Sequence, residues 1–85
     1  MHVHKDENWA IAPEHISAFF HEQADILPES DGFRYRSCRI VLIPLSGQAM
    51  GKWEIPRTQV IFEGSDEDVQ EIHRRFFLRF LSAGG

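Results

Sequence analysis

Eighty-five residues, 42% hydrophobic and 26% charged, make one small domain over residues 1–85, and a formal charge of −4 argues against general nucleic-acid binding. The single cysteine, Cys38, allows no internal disulfide, the N-terminal stretch has no apolar region of a secretion signal, and no apolar run approaches a membrane span. A cytoplasmic setting with neither membrane nor nucleic-acid partner is therefore expected.

Residues 1–8 are polar and read as a flexible N-terminus. His2, His4, Asp6 and Glu7 are metal-ligand types, but a loose segment does not preorganise a site, so no functional metal is expected there. Trp9 to Ile11 reads as a short strand or an apolar lead-in. Pro13 suits a first helical turn, and Ile16, Phe19, Phe20, Ala24, Ile26 and Leu27 recur at helical spacing from Glu14 to about Leu27. Pro28 ends that helix, and residues 28–32 have loop chemistry.

Phe33 to Leu45 reads as one strand, with a bulge near Ser37-Cys38 where the alternation changes phase. Ser46-Gly47-Gln48 is the expected hairpin turn, followed by a strand over Met50 to Ile55. Pro56-Arg57 is an interruption, and Thr58 to Glu63 is the third strand. Ser65 is a good N-cap, and Asp68 three residues on makes a variant capping box. From Asp66 the chain reads as a long helix. Val69, Ile72, Phe76, Phe77, Phe80 and Leu81 form its apolar arc, and Leu78 lies on the far side. Gly84 or Gly85 is a natural stop.

The order α-β-β-β-α predicts an α+β two-layer sandwich, a three-stranded antiparallel meander with both helices on one face. Such a sheet leaves its other face open, and half of the apolar run at 40–43 would lie there. Self-association as a homodimer is expected, with Val41, Ile43 and Trp53 as partner-binding residues and Leu78 as a further contact. His73 is read as a half-buried histidine and Cys38 as a buried thiol, each a ligand-binding residue only in a less favoured reading. Arg34, Arg36, Arg39, Lys52 and Arg57 cluster in the strand region, and Phe33-Arg34-Tyr35-Arg36 alternates aromatics with cations. That weak signal is set against the acidic whole.

No nucleophile elbow, zinc-protease, paired-cysteine or phosphate-loop motif is present, so neither enzyme nor cofactor is expected. The leading function is a non-enzymatic protein-interaction or dimerisation module with a protein partner. One alternative comes from Gly84-Gly85. Sulfur carriers and ubiquitin-like modifiers have similar length and end in two glycines, which thread into an activating enzyme, so Gly85 would be the activated residue. In that fold the tail follows a strand, whereas here it follows a predicted helix. The other alternative is a small-ligand or metal protein using His73, Cys38 or the N-terminal histidines.

Overall fold

The computed structural model describes residues 1–50 and 53–83, apart from the side chains of 46–50, 53–55 and 82–83. The elements run β1 (His2–Trp9), α1 (Pro13–His21), β2 (Leu27–Glu29), β3 (Gly32–Tyr35), β4 (Cys38–Met50), β5 (Trp53–Ser65) and α2 (Asp66–Ala83). The strands form one five-stranded antiparallel sheet in the order β1-β5-β4-β3-β2. Both helices pack on one face. Ile16, Phe19 and Phe20 of α1 and Val69, Ile72, Phe76 and Phe80 of α2 share a core with Phe33, Tyr35, Ile40, Val60 and Phe62 of the sheet.

The three-stranded meander is thus replaced by five strands, and each difference has a local cause. The N-terminal segment is not loose. It is edge strand β1, paired with β5 from His2↔Ser65 to Trp9↔Thr58. Val3, Lys5, Glu7 and Trp9 are half-buried and alternate with exposed His2, His4, Asp6 and Asn8. Two apolar residues in eight carry too little period-2 signal to mark a strand, and the charge suits an edge.

Helix α1 stops at His21 rather than near Leu27, and Leu27–Glu29 pairs with β3 instead. Tertiary pairing overrides the helical spacing of Ala24, Ile26 and Leu27. The phase change at Ser37 is a two-residue reversal between Tyr35 and Cys38, not a bulge. Arg36 takes a left-handed backbone there, with φ 53°, although such turns usually advertise themselves with Gly or Asn.

Ser46, Gly47 and Gln48 lie within β4. One extra residue enters the ladder between Leu45 and Gln48, and β4 and β5 stay paired as far as Met50 and Trp53. The two strands expected on either side of Pro56 are one strand, β5. Pro56 lies beyond the last β1 pair, Trp9↔Thr58, and beside that register shift, where a residue without an N–H is tolerated.

Candidate functional site

Helix α2 is anchored hard at its start and carries its exposed apolar residues toward its end. Ser65 caps it as expected, its Oγ accepting from the Asp68 N–H at 3.3 Å. The expected capping box does not close, because the Asp68 carboxylate turns to the hairpin. It accepts from the Ser37 N–H at 3.1 Å and the Ser37 hydroxyl at 2.6 Å. Those Ser37 hydrogen bonds are the main reason the Asp68 carboxyl is held below its ordinary range. The Ser65 N–H donates instead to Ser37 Oγ at 3.1 Å, and the Asp66 N–H donates to the carbonyl of Met1 at 2.9 Å. One turn later Glu71 accepts from Arg75 Nε at 2.8 Å, an i,i+4 pair, and Arg75 continues to Asp25 at 3.1 Å.

The apolar arc of α2 is narrower than its spacing implies. Val69, Ile72, Phe76 and Phe80 are buried, whereas Phe77 is 38%, Leu81 54% and Leu78 56% exposed. Beside the last turns an open groove of about 500 Å³ is lined by Ile11, His15, Phe19, Pro56, Arg79 and Phe80. Gly84 and Gly85, the proposed stop and the proposed activated residue, lie outside the described residues.

His73 has an acid partner that no local reading could supply. Its Nε2 lies 2.9 Å from Glu7 Oε1, across 66 positions of sequence. The Trp9 indole N–H donates to the same oxygen at 3.1 Å. Phe62 meets the imidazole edge-on at 5.3 Å, and Phe77 stacks on it at 6.0 Å. Glu7, Trp9 and His73 thus tie β1 to α2. The partial clue was the alternation that puts Glu7 and Trp9 on one face of a strand.

Cys38 is elsewhere, fully buried on the helix side of β4. Burial pushes its thiol up to about 11. Native Cys38 is therefore expected to resist iodoacetamide at pH 8 and to react once urea unfolds the chain. Rapid native alkylation would contradict this. The sign of the linkage is fixed: a pKa raised from 9.0 to about 11 stabilises the fold below 9, and that contribution is lost as pH climbs through this window. Among the described residues no group of three or more His, Cys, Asp or Glu side chains is arranged to hold a metal ion. His2 and His4 both turn to Glu63, at 3.9 and 3.1 Å.

The sheet face away from the helices holds Val41 and Ile43. Val41 and Ile61 stand opposite each other and are half-buried, and Ile43 is 37% exposed. Polar pairs ring this patch: Gln59 with Asp6 at 2.8 Å, Arg57 with Asn8 at 3.1 Å, Arg34 with Glu29 at 2.9 Å and Arg39 with Asp31 at 2.7 Å. The strand arginines are thereby engaged. Phe33 and Tyr35 are buried, so this run offers bases no aromatic platform. The side chain of Trp53 lies outside those described.

Among the described residues no helix is long and apolar enough to cross a membrane. No curated protein and no solved structure matches this chain. A family model described as archaeal MoaD-like protein matches residues 7–85, from within β1 to the final glycine. The chain belongs to this archaeal MoaD-like family.

Proposed function

We propose that the protein is a sulfur carrier of the MoaD type, with the Gly85 carboxylate as its working group. In the first step a carboxylate oxygen attacks the α-phosphorus of ATP on a partner enzyme. Pyrophosphate leaves and an acyl-adenylate forms. Hydrosulfide, or a donor delivering its equivalent, then attacks the acyl carbon, AMP leaves, and a thiocarboxylate remains. The chain supplies no catalytic group to either step. It supplies the Gly84-Gly85 sequence, without side chains, and a folded body for recognition. The observation that carries this reading is the family match through Gly85.

The structure sets a condition on this chemistry. The tail follows the 18-residue helix α2, which runs to Ala83. Two further residues, even fully extended, reach only about 7 Å. The adenylating site must therefore come close to the helix end, or the last turn must unwind.

The polar-ringed patch of Val41, Ile43 and Ile61 favours a second reading, an interaction module that self-associates through its open sheet face. One experiment separates the two. The untagged chain is incubated with the adenylating enzyme of its host, Mg-ATP and a sulfide donor, and read by intact mass. The carrier reading expects replacement of one oxygen by sulfur, localised to Gly85 and abolished by deleting that residue. An unmodified chain that sediments as a dimer, and becomes monomeric with Ile43→Glu, would establish the module instead.

A further inference from the structure

We propose that the exposed apolar stripe of α2, formed by Phe77, Leu78 and Leu81, is the surface on which the Gly85-adenylating enzyme docks. The inference rests on the carrier reading and adds where the partner binds. Its first support is reach. With α2 intact to Ala83, the two remaining residues span about 7 Å, so an enzyme that takes Gly85 into its nucleotide site lies against the last turns of α2 unless the last turn unwinds.

The second support is what those turns present. Residues 77 and 81 are four apart and 78 and 81 three apart, so the side chains share one patch. They are 38%, 56% and 54% exposed, while their apolar neighbours on the same helix are buried. The patch is also small. Three partly exposed side chains fall well short of the ~800 Å² per partner of a lasting interface. A transient enzyme complex, from which a carrier must leave after each cycle, fits that size better than a permanent second copy.

The test compares Leu78→Glu/Leu81→Glu with Ile43→Glu on the open sheet face, using carrier-dependent ATP–pyrophosphate exchange. Both variants are first checked for wild-type circular dichroism, and the milder Leu81→Ser is carried alongside. The expected result is that Leu78→Glu/Leu81→Glu raises the KM for the carrier about tenfold or more with kcat little changed. Leu81→Ser follows in the same direction, and Ile43→Glu behaves as wild type. An unchanged KM in the double variant, with a wild-type chain that turns over, overturns the docking surface and leaves the carrier reading intact. A raised KM in Ile43→Glu alone moves docking to the sheet and also overturns it. If the double variant merely turns a wild-type dimer into a monomer at constant KM, the stripe is a contact between copies and the proposal fails. No exchange with the wild-type chain removes the carrier reading and this inference together.

Discussion

Replacing Phe76 with alanine is expected to cost about 3–5 kcal/mol. Phe76 is fully buried, and its ring centroid lies 5.1 Å from Trp9, 5.9 Å from Phe20, 5.6 Å from Phe62 and 5.1 Å from Phe80. Those partners come from β1, α1, β5 and α2, so one truncation opens a cavity where four elements meet. They are large rings in fixed rotamers, and such sites collapse poorly. A small domain has only about 5–10 kcal/mol in total, so the variant should be partly unfolded at 37 °C. Urea titration followed by tryptophan fluorescence measures this directly. A midpoint close to wild type would show that the aromatic cluster does not hold the core. Leu78→Ala on the same helix is the control, with an expected change of about 0.5 kcal/mol or less.

Gly32→Ala is expected to be nearly as damaging, at about 3 kcal/mol. A methyl group on Gly32 would run into the carbonyl of Ile40, with the Cα of Val41 also within 3.1 Å. These are backbone atoms of the neighbouring strand, so no side-chain rotation relieves the overlap. Gly32 opens the four-residue strand β3 and pairs with both Glu29 and Val41. The chain can make room only by parting β3 from β4, which also loosens three-residue β2. Hydrogen exchange should show protection lost first in β2 and β3, with α2 retained. Wild-type protection throughout would contradict the proposed close approach.

The parts of the fold written in local chemistry were legible from the sequence. Ser65 followed by three acids and a 3.6-residue apolar spacing defined α2 from its cap onward. The run Ile40 to Ile43 read as apolar on both faces, with Val41 and Ile43 expected away from the helices, and Ile40 and Leu42 are the two that pack with the core. What stayed hidden depends on contacts made at long range. Strand β1 exists because β5 offers it a ladder, not because His-Val-His-Lys-Asp-Glu-Asn-Trp favours extension. The reversal at Arg36-Ser37 is held by Asp68, 31 residues away, rather than by turn residues. The link from His73 to Glu7 needs both β1 and α2 in place before it can form. For the functional site, Gly84-Gly85 was visible as a dipeptide but too short to weigh alone. Its significance came from the family match.

The bond from the Asp66 N–H to the Met1 carbonyl has a practical consequence. It pins the first residue to the start of α2, while Ala83 marks the other end of that 18-residue helix, about 27 Å away at 1.5 Å per residue. The molecule is thus bipolar along one rigid strut. A dye, affinity handle or fusion partner on residue 1 stays roughly a helix length from Ala83. A donor there and an acceptor on the adenylating enzyme would report capture of Gly85 as a change in transfer efficiency, with the label held away from the reacting end.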